Sequence, residues 1–212
     1  MSSLIADIKI PDSKLAVEAA ELLREHGDDL LWNHSNRVFL FAAMNGNRKQ
    51  IKYDPELLYI SSLFHDIGLT PKFRSDDKRF EVDGANAARD FLQSRGVPED
   101  YIRLVWDAVA LHTTIGIVEY KEAEVALMNF GVGYDVVGKN FDLISKEARQ
   151  QIVEAFPRNN FKHKILHAFL EGFKHKPETT YGNINADVCE LLLPGYKRPN
   201  FCHSVLHSRW DE

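Results

Sequence analysis

Asp54 to Gly68, DPELLYISSLFHDIG, is the stretch from which the fold is read. Asp54 is a helix cap, Pro55 suits a first turn whose N–H groups need no partner inside the helix, and Glu56 is a favourable first-turn acid. The residues that follow are nearly all apolar, so this short helix is expected to be buried on most sides and stopped by Gly68. His65 and Asp66 fall at its carboxyl end. An imidazole and a carboxylate buried there would be costly unless a hydrogen-bond partner or a cation satisfied them. The free carbonyls of a helix terminus favour a cation at that place.

Working outward, the same signals recur. Upstream, Pro11-Asp12-Ser13 caps a helix carrying Leu15, Ala19, Leu22 and Leu23 and closing at His26-Gly27, and a second runs from Asp28 or Asp29 through His34, Val38, Leu40 and Phe41 to Asn45-Gly46. Downstream, Leu69 to Arg79 is a surface loop of mixed charge. Helices are then expected at Val82 to Arg95, from Pro98 to His112, at Glu119 to Val137 and at Lys146 to Phe156, the last capped by Ser145. An eighth starts at Asn159 or Asn160 and ends near Pro177, and a short one spans Asn185 to Leu192 before an irregular tail. Gly131 and Gly133 weaken the sixth helix. No run alternates with period two for long, so the fold class is all-α. A single domain over 1–212 is expected, with a metal-binding core at about 30–138 and a helical extension at about 145–212.

Composition limits the function classes. With 212 residues, 44% hydrophobic and 27% charged, the chain can bury a full core and is not a disordered one. A net charge of -5 argues against nucleic acid and against an anionic membrane surface as default partners. Cys189 and Cys202 make neither a disulfide framework nor a thiolate knuckle, and the amino terminus lacks a leader pattern, so a cytoplasmic location is expected. Exposed aromatics such as Trp106 and Trp210 leave room for a homo-oligomer.

There is no phosphate-binding glycine loop, no Gly-x-Ser-x-Gly and no His-Glu-x-x-His, so the chemistry must come from His and carboxylates. His34, His65, Asp66 and Asp135 together offer the nitrogen and oxygen donors that Zn²⁺ accepts, with Fe²⁺ or Mn²⁺ as alternatives. His163 and His167, and His203 and His207, are pairs four apart that lack an acidic partner. FKHKILHAFLEGFKHK reads better as an amphipathic helix with a solvated basic edge.

His34, His65-Asp66 and Asp135, in this order, resemble the H…HD…D signature of the HD-domain metalloenzyme superfamily, in which the four corresponding residues are metal ligands. LFHDIGLT, RFEVDGANAARDFL, WDAVALHTTIGI and GVGYDVVG more narrowly resemble its cyanamide hydratase-like branch. That resemblance implies zinc and the addition of water to the nitrile of cyanamide, giving urea by way of a metal-bound hydroxide. In many two-metal phosphohydrolases of the superfamily a His lies four residues before the Gly-Ala that opens the next helix. Here Gly84-Ala85 is preceded at that position by Phe80, which favours one metal, with His112 as the remaining donor for a second.

The expected roles follow. Asp66, Glu81 and His112 are candidates for proton transfer, Thr113 and Lys72 for contact with a small-molecule substrate, and the loop from Leu69 to Phe80 for closing a narrow pocket. The alternative is a phosphohydrolase for a nucleotide or other phosphomonoester, with Arg37, Lys72, Arg74 and Arg79 as clamps. A third reading is a non-catalytic protein that keeps the metal for stability alone.

Overall fold

The computed structural model describes residues 4–210; Met1 to Ser3, part of the amino-terminal stretch read above, and Asp211 and Glu212 lie outside the described residues. Ten α-helices carry the fold: α1 (Lys14–His26), α2 (Asp29–Arg48), α3 (Pro55–Phe64), α4 (Phe80–Gln93), α5 (Glu99–Ala110), α6 (Ala123–Val137), α7 (Lys146–Ala155), α8 (Phe161–Phe173), α9 (Asn185–Leu192) and α10 (Phe201–Leu206). The all-α reading holds. The strands found among the described residues are β1 (Leu4–Ile5) and β2 (Ile8–Lys9), an antiparallel pair with Ile5 opposite Ile8, turned by Ala6 and Asp7 at positive φ.

Capping chemistry explains where most helices begin. Ser13, Asp28, Asp54 and Ser145 each accept a backbone N–H of the following turn, and Pro55 opens α3. Every residue of α3 from Leu57 to Phe64 is buried, because α1, α2, α4, α5 and α6 all pack against it. Ser61 and Ser62 are tolerated in this core because their hydroxyls donate to the carbonyls of Leu57 and Tyr59, at 2.8 and 2.7 Å.

Several boundaries differ from expectation. Helix α4 starts at Phe80, before Val82, and α6 starts at Ala123, with Glu119 in a separate 3₁₀ turn, Val118–Tyr120. Helix α8 stops at Phe173, and Pro177–Thr180 forms its own turn. The tail is not wholly irregular: Asn200 accepts from the His203 N–H at 3.1 Å and so caps α10, although its apolar side chains Phe201, Val205 and Leu206 stay exposed. In α8, Phe169 and Phe173 are buried and Leu166 and Leu170 pack against the core, while His163 and His167 face outward. Trp106 is half-buried and donates to Asn86, whereas Trp210 is exposed. Among the described residues no helix is long and apolar enough to cross a membrane.

Two glycines set the distances that bring the site together. A Cβ on Gly131 would lie 2.4 Å from the carbonyl oxygen of Val38, so its lack of a side chain lets α6 lie directly on α2. It is a packing requirement and not a break. A Cβ on Gly68 would lie 2.1 Å from the Phe80 carbonyl, so the first turn of α4 can reach the His65-Asp66 corner. Replacing Gly131 by Ala should therefore force α2 and α6 apart and destabilise the chain by about 1–3 kcal/mol, despite alanine's better helix propensity. Urea denaturation of the variant measures this; an unchanged or raised midpoint would contradict the close-packing account.

Candidate metal centre

His65 and Asp66 emerge where α3 ends, and His34 reaches them from the middle of α2. Nε2 of His34 lies 3.5 Å, and Nε2 of His65 3.3 Å, from Asp66 Oδ2. One donor atom from each of the three residues falls within 4.8 Å of the other two, a grouping able to hold one ion. From just beyond α5, His112 Nε2 approaches the other oxygen, Asp66 Oδ1, at 3.6 Å. All four side chains are buried.

The protons on these imidazoles follow from what their other nitrogens touch. His65 Nδ1 lies 2.7 Å from the Ser62 carbonyl oxygen and His112 Nδ1 lies 2.6 Å from that of Val109. A carbonyl only accepts, so both Nδ1 atoms carry the hydrogen, and in the neutral rings Nε2 is a bare lone pair. His34 Nδ1 likewise donates to Asp135 Oδ2 at 2.7 Å. Three lone pairs therefore face one carboxylate in a space closed to water. Both oxygens of Asp66 and Nε2 of His65 have no hydrogen-bond partner. Acceptors facing acceptors repel, and a divalent cation among them satisfies the whole set. The donors fit such an ion.

Asp135 is placed differently from the other three. Its carboxylate receives, besides His34, both Nε and Nη2 of Arg37 at 2.9 Å and the guanidinium of Arg158. It does not belong to the group of converging donor atoms. Burial pushes the Asp135 carboxyl up, but His34 and Arg37 more than reverse this and hold it far below the usual range. Burial drives the His34 pKa down against the pull of Asp135, which leaves the ring neutral at pH 7. The Asp66 carboxyl is held well below the ordinary value, with burial opposing its charge and the neighbouring His65, His112 and His34 favouring it.

Glu81, in the first turn of α4, is completely buried. Thr113 Oγ1 donates to Glu81 Oε1 at 2.6 Å, Arg79 Nη2 donates at 2.8 Å, and Asn185 Nδ2 approaches both oxygens at 3.3 and 3.4 Å. Burial raises the Glu81 pKa, but Arg79, His112 and Thr113 bring it below its ordinary value. A resident proton-donor role for Glu81 therefore does not suit a charge state held this low. Thr113 is thus brought beside His112. Lys72 is not: it is exposed and lines a separate surface cavity of about 520 Å³ with Lys78, Asp83 and Arg89.

Phe80 explains the position where a second-metal His was missing. Its ring is buried against Phe169, Phe173 and the edge of His112, 5.7 Å away between centroids. The loop from Leu69 to Arg79 is pinned from outside, since Lys176 Nζ donates to the Ser75 carbonyl and to Asp83 Oδ2 at 2.8 and 2.7 Å. Arg37 was expected as a phosphate clamp in the alternative reading. It is fully buried and spent on Asp135 and on the carbonyls of Phe156 and Pro157. Sequence reasoning missed Arg158, Asn185 and Lys176, whose partners lie 23, 104 and 93 residues away.

The HD domain family matches residues 31–155, more than half of the chain and the stretch that holds His34, His65, Asp66, His112 and Asp135. The chain belongs to the HD domain family. Within that family it is similar to cyanamide hydratase DDI2 and cyanamide hydratase DDI3 of Saccharomyces cerevisiae, at 32% identity over 149 residues. The match covers 66% of this chain and 66% of each relative, so just under two thirds of the length of these relatives is spanned. Both findings agree with the motif resemblance to the cyanamide hydratase-like branch.

The role of Asp135 in this HD domain can be measured. Asp135→Asn removes the charge that orients His34 and pairs with Arg37, so zinc affinity should fall about 10–100-fold in competition with a chelator. Leaving two guanidinium groups unpaired should also cost about 3–5 kcal/mol of stability in the metal-free chain. Because the native carboxyl is held below its ordinary value of 3.8, its stabilisation is present above that pH and is lost as pH falls through it. The wild-type advantage should accordingly shrink as denaturation is measured below about pH 4. Unchanged zinc affinity would remove Asp135 from the centre.

Proposed function

We propose that this chain hydrates cyanamide to urea at one divalent metal ion, with zinc the first choice and Fe²⁺ or Mn²⁺ able to use the same donors. His34, His65 and Asp66 would hold the ion, His112 faces Asp66 from the other side, and Asp135 positions His34. The observation that carries this reading is the unpartnered Asp66 carboxylate turned toward imidazole lone pairs, in a chain similar to two cyanamide hydratases. When bound, the ion supplies Lewis acidity and lowers the pKa of a water toward about 7.

The protein's own groups do the rest. Asp66 would take a proton from the attacking water and return it to the nitrile nitrogen, where negative charge grows as oxygen bonds to carbon. An ionised Asp66 suits the first half of that shuttle. The product, H₂N–C(OH)=NH, contains the atoms of cyanamide and one water, and moving its hydroxyl proton to the imine nitrogen gives urea. Glu81, fixed as an anion, holds Thr113 beside His112, and His112 is held by the Val109 carbonyl and by Asn129, which donates to the His112 carbonyl at 2.8 Å. Burial of the whole set excludes bulk water from competing for these hydrogen bonds.

A small uncharged substrate fits this environment better than a phosphomonoester does. Arg37 and Arg79 are both engaged by carboxylates, and Lys72 is outside the centre. No nucleic acid or membrane is needed as partner, and the free thiols of Cys189 and Cys202 suit a reducing compartment such as the cytoplasm.

The test is urea formation from cyanamide by the full chain, with metal content determined on the same sample. Wild type should carry one ion per chain and make urea, and Asp66→Ala should lose at least about 10³-fold in kcat/KM, since it removes both a ligand and the proton shuttle. A fully metallated wild type that makes no urea but hydrolyses phosphomonoesters would install the phosphohydrolase instead.

A further inference from the structure

The buried side-chain atoms without partners, among the described residues, are Ser35 Oγ, His65 Nε2, both oxygens of Asp66 and Asn185 Oδ1. His65 and Asp66 already belong to the metal corner. Asn185 comes from α9, far along the chain, yet it is 2% exposed and its amide meets Glu81, which holds the residue next to His112. Its own N–H donates to Asn183 Oδ1 at 2.9 Å, which anchors the start of the helix.

The amide can be oriented only one way. Nδ2 lies against the two oxygens of the ionised Glu81, and turning the group over would set Oδ1 against that carboxylate. Oδ1 is therefore the atom left without a donor. Through Nδ2 the residue is linked toward the centre: Glu81 holds Thr113, the neighbour in sequence of His112, whose Nε2 faces Asp66 at 3.6 Å. Arg79 and Thr113, both bonded to Glu81, also line a surface cavity of about 440 Å³ together with Ile115, Asn183 and Ile184. Asn185 thus presents an unmatched acceptor, and the carboxylate behind its Nδ2 strengthens that acceptor by polarising the amide.

We propose that Asn185 determines specificity by accepting, at Oδ1, an N–H of the substrate's amino group, and so selects H₂N–C≡N over nitriles with carbon in place of that nitrogen. The inference rests on the hydratase reading. It explains why a buried amide keeps one oxygen unpaired in the free protein: the missing donor arrives with the substrate. A site built around a substrate N–H rejects the analogue lacking it far more strongly than an apolar pocket rejects a methylene, because the analogue leaves the acceptor stranded.

The test compares cyanamide as substrate with acetonitrile, in which methyl replaces the amino group, as competitive inhibitor of the metal-loaded full chain. In Asn185→Leu, KM for cyanamide should rise at least about tenfold, with a smaller change in kcat, while the inhibition constant of acetonitrile stays the same or falls. A purely structural role through Glu81 predicts that both constants move together, and that result, or an unchanged KM, overturns the proposal while leaving the hydratase intact. Should the variant fail to fold, as judged by its melting temperature, wild type alone decides. Acetonitrile must then bind at least about tenfold more weakly than the cyanamide KM, and parity overturns the proposal. A wild type that makes no urea removes the hydratase reading itself, and this inference with it.

Discussion

One buried carboxylate, Asp66, surrounded by three imidazole nitrogens that cannot donate to it, is the constraint around which the molecule is arranged. Distances of 3.3–3.6 Å between such atoms are unfavourable unless positive charge lies among them. The lone pairs are directed by the outer nitrogens. His65 and His112 each sit just past a helix end and each gives Nδ1–H to a carbonyl three residues earlier. Those carbonyls are available because the last turn of an α-helix leaves them without intrahelical partners. The same local geometry that ends α3 and α5 therefore fixes two tautomers and points two Nε2 atoms at one place.

Partnering separates the buried carboxylates by role. Asp135 is saturated by His34, Arg37 and Arg158, Glu81 by Arg79, Thr113 and Asn185, and Asp83 by Lys176 and the Ser75 N–H. Asp66 alone of these four has both oxygens buried with no hydrogen-bond donor. Saturated carboxylates hold neighbours still, whereas the unsaturated one meets what enters. Asp135 is in this sense the outer partner that gives His34 its tautomer and orientation, an arrangement common behind metal-ligating imidazoles.

Local signals made most of the fold legible. Ser13, Asp28, Asp54-Pro55 and Ser145 mark helix starts by chemistry that acts within one turn, and the sequence order of His34, His65, Asp66 and Asp135 named four ligands, of which the first three offer converging donor atoms while Asp135 contacts His34. Signals failed where tertiary contact decides. Gly131 reads as a helix breaker until the Val38 carbonyl is seen 2.4 Å from where its Cβ would be. Arg37 reads as a free cation one turn from His34 until Asp135 closes on it from 98 residues away. Asn185 carries no local mark at all, since an asparagine at a helix start is ordinarily a cap, and here the backbone is capped by Asn183 while the side chain serves Glu81. The hairpin of β1 and β2 is two residues per strand, too short to produce a detectable alternation.

Charge balance bears on what such a centre can accept. Glu81 and Asp83 each have one cation and Asp135 has two, Arg37 and Arg158, so a divalent ion set against Asp66 would leave two positive charges in excess. A phosphomonoester would carry up to two negative charges into a site whose guanidinium groups are already committed, and withdrawing Arg37 from Asp135 to meet them would release His34. The ion pair that orients the first imidazole thus also withholds from the site the cation a phosphate would need, and positioning and substrate charge are set by the same contact.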